Sequence, residues 1–305
     1  MKAFRFLQLD VFTEELFGGN QLAVLPDARG IPDHLMLRIA REMAFSETTF
    51  VLPAEAAGTD LRVRIFTPGS ELAMAGHPTI GTAFALAHEG IISRGQAGIV
   101  FGEGVGPVPI DLEWHHGHLA FAWMTQPVPA FGPPMSELGS LAATIGLEEA
   151  DIRATGLPVQ EVSSGAPFIF VPIATRAAID RAIPDVRAMR GLFDRLGTEA
   201  HGLYLFTTEG GADRATTYSR MFAPELSISE DPATGGACGP LGAYLVRHGV
   251  VSAAGPTRML NLQGVCMQRP SFIHISIDPS GSPPVRPRVG GTSVLAAEGT
   301  LNVPV

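Results

Sequence analysis

The pattern of apolar and polar positions predicts strands and helices in alternation along the first half of the chain. Residues 4–12 and 21–25 are short apolar runs joined through glycines, which is typical of a strand pair. Apolar residues at helical spacing follow Pro32 and predict a helix that ends at residues 44–47. The first elements are therefore two strands followed by a helix.

The next segments predict more strands around one unusual helix. Residues 48–52 are β-branched and aromatic, and residues 61–66 alternate apolar residues with arginines, so both predict strands. Residues 80–88 are small and apolar on every side, which indicates a helix buried all round, and Gly90 ends it. Residues 97–124 alternate through Gly-Pro turns and predict a β-meander.

The second half repeats the landmarks of the first half in the same order. Gly and Pro stand seven residues apart at 165–172, as they do at 19–26. The other matching pairs are 203–206 with 49–52, 222–224 with 66–68, and 243–249 with 83–90. The repeat predicts an α/β (α+β) fold of two pseudo-symmetric lobes, each a curled mixed β-sheet around a central helix, at 78–89 and 235–248.

Proline and glycine concentrate at residues 127–134, where we expect the boundary between the lobes. The N-terminal lobe is expected to span 1–127 and the C-terminal lobe 128–292. The last segment, 293–305, is a candidate addition to the N-terminal lobe.

Composition narrows the class of protein. A chain of 305 residues with 46% hydrophobic and 17% charged residues predicts large cores in two domains and excludes general disorder. A net charge of −9 argues against nucleic acid and anionic membranes as partners. No run of apolar residues is long enough for a membrane helix, and we expect no signal peptide. Two cysteines are too few for a disulfide scaffold, so a reducing cytoplasm is expected.

Two acid–base residues stand just before the predicted central helices. His77 precedes Pro78, and Asp231 precedes Pro232 and a run of small residues. The first N–H groups of a helix stay free and attract anions. Taken alone, each residue could simply cap its helix. Their similar places in the two lobes instead favour one cleft that binds a small carboxylate.

Glu47 and Asn20 are further candidates. Glu47 is expected to close the first helix between Phe45 and Phe50, where a helix C-terminus and an apolar setting would raise the pKa of its carboxyl. Such a group suits general acid–base catalysis, although a surface glutamate in a tight turn is an equal alternative. Asn20 follows two glycines and could donate to a substrate, or could belong to an ordinary turn.

Metal and nucleotide sites are not expected. His115, His116 and His118 lie at a predicted hairpin tip, without a carboxylate or cysteine at ligand spacing. Residues 102–106 resemble a dinucleotide loop, but strand-like residues follow them instead of a helix. Cys238, in the second central helix, is expected to be a small buried thiol.

Six short motifs follow one another along nearly the whole chain, at residues 19–24, 46–51, 75–81, 230–235, 263–264 and 269–271. In sequence and in order they resemble the motifs of the phenazine-biosynthesis PhzF-like isomerase family, which shares the diaminopimelate-epimerase fold. The resemblance implies a cofactor-free site between two α/β lobes, usually in a homodimer.

The resemblance also implies roles for individual residues. Glu47 would shuttle a proton on a dihydro-hydroxyanthranilate-type substrate, and His77 and Asp231 would orient that substrate. Backbone groups of Gly76 and Gly235 would hold its carboxylate. The related two-thiol epimerases have a cysteine where this chain has an alanine, so two-thiol racemisation is not expected.

Two positions depart from the family pattern. Gly236 stands where the family often has serine, and Gln268 stands where it often has glycine. Both changes are expected to alter contacts near the substrate. The first hypothesis is a cofactor-independent isomerase. The alternatives are a two-base epimerase or racemase that uses Asp231 or His77 as second base, and a non-catalytic small-molecule-binding protein.

Overall fold

The computed structural model describes residues 1–224, 228–252, 254–278 and 286–305. The helices are α1 Asp33–Met43, α2 Gly76–His88, α3 Leu138–Thr144, α4 Glu149–Arg153, α5 Arg176–Arg181, α6 Val186–Leu196 and α7 Gly235–Arg247. The strands of the first half are β1 Lys2–Val11, β2 Asn20–Leu25, β3 Glu47–Pro53, β4 Leu61–Phe66, β5 Glu71–Leu72, β6 Gly98–Glu103, β7 Gly106–His115 and β8 His118–Thr125. Those of the second half are β9 Ala130–Pro134, β10 Gln160–Ser163, β11 Pro167–Pro172, β12 Leu203–Thr207, β13 Thr217–Ala223, β14 Ile228–Asp231, β15 Thr257–Gln263, β16 Ser271–Ile277, β17 Arg288–Gly291 and β18 Ser293–Val303.

One open, mixed sheet runs through both lobes. In the first lobe the strand order is β18-β1-β2-β3-β4-β6-β7-β8. In the second lobe it is β9-β10-β11-β12-β13-β15-β16-β17. Antiparallel pairing of β8 with β17 joins the two halves. The C-terminal strand β18 therefore pairs with β1 and lies in the sheet of the first lobe.

The two halves have the same topology, which confirms the predicted pseudo-symmetry. Parallel pairs β2–β3 and β11–β12 correspond, as do β4–β6 and β13–β15, whose connections contain α2 and α7. Side chains repeat as well. Arg64 binds Glu71 through two bonds of 2.8 Å, and Arg220 binds Glu230 in the same way. Bidentate pairs of this kind fix the short strands β5 and β14 that lead into the central helices.

Each central helix lies inside the curl of its sheet. The first eleven residues of α2, from Gly76 to Leu86, are buried, and α7 is buried over nearly its whole length. One apolar core surrounds both helices. A helix that is apolar on every side can be stable only when it is enclosed in this way. Neither helix, nor any other described helix, is long and apolar enough to cross a membrane.

The remaining helices cover the outer faces of the sheet. Helix α1 packs over β2 and β3, and α3 to α6 pack over the second lobe around a separate core. The sequence predicted α1 but no helix in the region of α3 to α6. It also placed Glu47 at the end of the first helix, which is wrong. Helix α1 ends at Met43, Ala44 adopts a left-handed conformation, and Glu47 is the first residue of β3.

Candidate active site

The N-termini of α2 and α7 meet between the lobes, and a narrow cleft opens beside them. Gly76 and Gly235 touch backbone to backbone, since a Cβ added to Gly76 would lie 2.4 Å from the Cα of Gly235. No side chain caps either helix. The space between the walls of the cleft amounts to about 400 Å³, a volume that includes the open solvent at its mouth. Both helices thus direct the positive ends of their dipoles toward one small space.

Glu47 is a buried carboxyl in this cleft. Only 6% of the residue is exposed, and its Oε2 has no hydrogen-bond partner among the described residues. Nε2 of His77 lies 3.1 Å from that oxygen, but the two atoms are not aligned for a hydrogen bond. Burial, together with the nearby charge of Asp231, raises the pKa of Glu47 well above its usual value. The carboxyl therefore holds a proton far more readily than one in water.

Asp231 lies at the end of β14 and is buried like Glu47, but both oxygens of its carboxyl accept hydrogen bonds. Its Oδ1 accepts a hydrogen bond from Asn20 at 2.7 Å, and its Oδ2 accepts one from the Thr234 hydroxyl at 2.6 Å. Burial raises the pKa of Asp231, while these two bonds stabilise its charged form. Among the described residues Oε2 of Glu47 has no such bond. The hydrogen bonds therefore favour negative charge on Asp231, and Glu47 lacks this support.

His77 is neutral and is held by Asn20. Burial lowers the pKa of His77 to about 3, so the imidazole carries no charge at neutral pH. The amide nitrogen of Asn20 lies 3.1 Å from Nδ1 of His77 and 3.1 Å from the carbonyl oxygen of Ala233. An amide nitrogen carries two hydrogens, so Asn20 donates to two of its three neighbours, which are His77, Asp231 and Ala233, and Nε2 of His77 faces Glu47.

The structure brings together most of the residues that the sequence singled out. His77 is the second residue of α2, whereas Asp231 precedes α7 by several residues and Thr234 stands at the N-cap position of that helix, so the two sites do not correspond in the repeat. Asn20 lies behind the cleft and contacts the acid–base residues instead of its open space. The predicted residues that line the cleft are Glu47, Gly76, His77, Asp231, Gly235 and Gly236.

Sequence reasoning gave no role to the apolar wall of the cleft. Residues from both lobes form it, and His201 adds a polar side chain that packs edge-to-face on Phe168. They come from four strands and from the segments beside those strands, and these are far apart in the sequence, so only the folded chain brings them together. The described apolar residues of the wall are Leu72, Met74, Ala166, Phe168, Met221 and Ile228.

Gln268 does not contact this cleft, contrary to expectation. It follows a short 3₁₀ helix, Val265–Met267, and lines a separate surface groove together with Phe17 and Phe272. Its φ of 57° lies in the left-handed region that favours glycine. The local backbone therefore accounts for a preference for glycine at this position, without any contact with a substrate.

Replacing Gln268 with glycine is expected to stabilise the fold by about 1 kcal/mol, because the left-handed conformation costs a residue with a Cβ roughly that much. Urea titration would measure the change. As a control, Gln21→Gly in β2, which pairs with β1 without a shift in register, should destabilise the fold. A Gln268→Gly protein with an unchanged or lower midpoint would contradict the strain argument.

A metal site finds little support in the described part of the chain. His115, His116 and His118 lie at the β7–β8 hairpin tip, as predicted. Elsewhere in the described residues, one cluster has ligand-like spacing, and it consists of His88, Glu89 and Glu298. The guanidinium of Arg5 already binds both glutamates of this cluster, at 3.0 and 2.5 Å. An arginine in that position repels a cation.

Comparison with known proteins agrees with this geometry. The family model of phenazine biosynthesis-like proteins (PhzC-PhzF) matches residues 9–299. An uncharacterised isomerase of Mesorhizobium japonicum is 34% identical, with 99% of each chain covered. Trans-2,3-dihydro-3-hydroxyanthranilate isomerase of Pseudomonas aeruginosa is 35% identical over 97% of this chain and 98% of its own. The crystal structure of a PhzF-family protein of Bacillus anthracis superposes with a TM-score of 0.89, at 26% identity, over 99% of this chain and 100% of that one.

The two-lobed fold, the cleft between helix N-termini and these relatives define the class of protein: the chain is an isomerase. It belongs to the phenazine biosynthesis-like, PhzC-PhzF, family. The family resemblance drawn from the sequence motifs is thereby confirmed.

Proposed function

We propose that the chain isomerises a small unsaturated cyclic carboxylic acid by moving one proton between two atoms of the substrate, with Glu47 as the proton carrier. The observation that supports this most is the carboxyl of Glu47 in the cleft. It is buried, its Oε2 has no hydrogen-bond partner among the described residues, and burial raises its pKa. A stability role would normally leave such a carboxyl hydrogen-bonded.

The proposed reaction conserves atoms and electrons. Ionised Glu47 takes a proton from a substrate carbon. The electron pair of the broken C–H bond forms a new double bond and displaces the π electrons of the adjacent double bond along the conjugated system. Glu47 then returns the proton to another atom of the same conjugated system. A base with a raised pKa is better matched to a carbon acid than an ordinary carboxylate. The free N–H groups of α2 and α7 would hold the substrate carboxylate and stabilise the negative charge that develops.

The geometry favours one proton carrier over two. A second base would need an uncommitted carboxylate, but both oxygens of Asp231 already accept hydrogen bonds. His77 is neutral, and its Nε2 lies 3.1 Å from the carboxyl of Glu47. Ala75, at the start of α2, offers no thiol. These features favour an isomerase over the two-base epimerase or racemase.

The shape of the cleft suggests the class of substrate. The helix N-termini suit a carboxylate, and the apolar wall suits a hydrocarbon ring. Trans-2,3-dihydro-3-hydroxyanthranilate, the compound in the name of the Pseudomonas aeruginosa relative, has both features. Gly236 leaves extra room, since a Cβ there would meet only the backbone nitrogen of Gly76, at 3.9 Å. Substrates with an added substituent near the carboxylate are therefore also candidates.

Proton exchange in heavy water tests the proposal directly. The protein would be incubated with trans-2,3-dihydro-3-hydroxyanthranilate and with related cyclohexadiene carboxylates, and the products examined by NMR. We expect a shifted double bond, with solvent deuterium at one carbon of the product. Loss of optical purity without a shifted double bond would favour the two-base epimerase. Binding without any exchange across the panel would favour the non-catalytic alternative.

A further inference from the structure

A hydrogen-bond chain supports the start of α7 in the second lobe. Gln263, the last residue of β15, donates from Nε2 to the hydroxyl of Thr234 at 2.9 Å. That hydroxyl donates to Asp231 at 2.6 Å. Oε1 of Gln263 accepts from the backbone N–H of Thr234 at 3.1 Å, so the amide holds the turn from both sides. The direction of the chain is fixed because an amide nitrogen donates and a carboxylate accepts.

The first lobe has a chain at the corresponding place, but an acid replaces the amide. Glu103 is the last residue of β6, the strand that matches β15. Its Oε1 lies 2.6 Å from the hydroxyl of Thr79. The same hydroxyl lies 2.6 Å from the carbonyl oxygen of Ala75, which caps α2.

The two contacts of Thr79 can both be hydrogen bonds only when Glu103 carries a proton. Two oxygens 2.6 Å apart attract each other only with a hydrogen between them. Thr79 supplies one hydrogen, and the carbonyl of Ala75 can only accept it. The hydrogen in the second contact must therefore come from the carboxyl of Glu103, which acts as a donor just as Gln263 does in the other lobe.

We propose that Glu103 is a positioning residue that stays protonated at neutral pH and so keeps buried negative charge away from the end of α2 that binds the substrate carboxylate. This inference rests on the proposed function. Glu103 is linked to the site through Thr79 and Ala75, and it does not touch the cleft. Its ionisation would place a charge of the same sign as the substrate beside the first turn of α2 and oppose the helix dipole there.

The surroundings of Glu103 agree with this state. The residue is 4% exposed, and its second oxygen, Oε2, is buried without a hydrogen-bond partner among the described residues. Burial raises the pKa of Glu103 to about 8. Two neighbours favour the ionised form instead: the hydroxyl of Thr79 on α2, which would donate its hydrogen to a carboxylate in place of Ala75, and the guanidinium of Arg62 on β4, which donates to the carbonyl of Gly102 at 3.0 Å. Neither neighbour neutralises Glu103 through an ion pair in the way that Arg220 does for Glu230.

The proposal predicts a specific dependence of substrate binding on pH. As Glu103 ionises above pH 8, the KM for a carboxylate substrate should rise about tenfold, the size of one charge interaction at a partly screened distance. Glu103→Gln should show no such rise, because glutamine can donate to Thr79 and does not ionise. The KM of wild type divided by the KM of Glu103→Gln should therefore be near one at pH 7 and reach about ten at pH 9.5.

Two measurements that need no turnover accompany the KM profile. Difference infrared spectra of wild type and Glu103→Gln should reveal a protonated carboxyl band at pH 7 that disappears above pH 8 and is absent from the variant. Thr79→Val should shift that band, because the carboxyl loses its acceptor. Anthranilate, which has a carboxylate but no isomerisable ring, would serve as the probe of binding by thermal stabilisation.

The outcomes separate this inference from the proposed function. A carboxylate band for Glu103 at pH 7, or identical pH profiles for wild type and Glu103→Gln in both KM and anthranilate binding, would overturn the inference. A failure of every substrate to turn over, with the protonated band and the pH-dependent anthranilate binding intact, would count against the isomerase proposal and leave the role of Glu103 standing.

Discussion

Glu47→Gln is expected to lower kcat by a factor of about 10²–10⁴, the usual contribution of a positioned acid–base group, while the fold remains intact. Glutamine has nearly the same shape as glutamate and fits the same buried site. It keeps an uncharged polar group beside His77, but it cannot carry a proton to and from carbon. KM should change little, since the substrate carboxylate is held by the helix N-termini.

The same variant should be more stable than wild type at alkaline pH. Because the folded pKa of Glu47 is raised above its unfolded value, the folded state holds the proton more tightly. Protonated Glu47 therefore contributes most to stability at low pH. This contribution is lost as the pH rises from the pKa of Glu47 in the unfolded chain toward its pKa in the folded protein. Glutamine removes this loss. A variant that loses activity and gains stability is characteristic of a functional site.

Stopped assays for kcat and thermal melts at pH 6 and pH 8.5 would measure the two effects. Glu149→Gln is a suitable control, because Glu149 is a surface residue that pairs with Arg153. Its substitution should change stability by less than about 0.5 kcal/mol and leave kcat unchanged. A Glu47→Gln protein with full turnover would exclude Glu47 as the proton carrier.

The sequence predicted much of the fold because the central helices have an unusual composition. A helix that is apolar on all sides, such as α2, must be enclosed, and its repetition as α7 indicates a second copy of the same unit. The strands next to them also follow local patterns, so β3 and β4 were predicted closely. Helices α3 to α6 are short and cover only one face of the sheet, which leaves a weaker pattern in the sequence.

The sequence pointed to individual residues of the candidate site, but it did not predict the contacts that these residues make. Glu47 was expected to owe its raised pKa to the end of a helix and to an apolar setting. The structure shows burial, but at the start of β3, and it adds the charge of Asp231 from the other lobe, a contact that no local pattern can reveal. Asn20 was expected to meet a substrate, but it holds His77 and Asp231 in place. Such contacts depend on the packing of the two lobes.

Gln263 and Glu103 illustrate the same limit. Gln263 was noticed only as part of a family motif, and Glu103 only as part of a loop that resembled a nucleotide site. Their matching places became evident once β15 and β6 were seen to correspond in the repeat. A sequence repeat can align landmarks such as glycines and prolines, but it does not show which polar side chains meet the first turn of a helix.

Gly76→Ala is expected to destabilise the protein by about 3 kcal/mol and to abolish proton exchange. The added Cβ would lie 2.4 Å from the Cα of Gly235 and 2.5 Å from the nitrogen of Gly236, and backbone atoms cannot yield as a flexible side chain does. The two helices must therefore move apart, which costs the packing energy of an overfilled core. The shift would also displace His77 from Glu47.

Gly236→Ala is the matched control for Gly76→Ala, because it adds the same methyl group to the facing helix, where the nearest backbone atom is 3.9 Å away. Its midpoint in urea should stay within about 0.5 kcal/mol of wild type. The difference between the two variants then reports the contact between the helix ends, free of any general effect of replacing glycine. Equal midpoints for the two would mean that α2 and α7 do not touch at their N-termini, and the anion site built from both helices would have no basis.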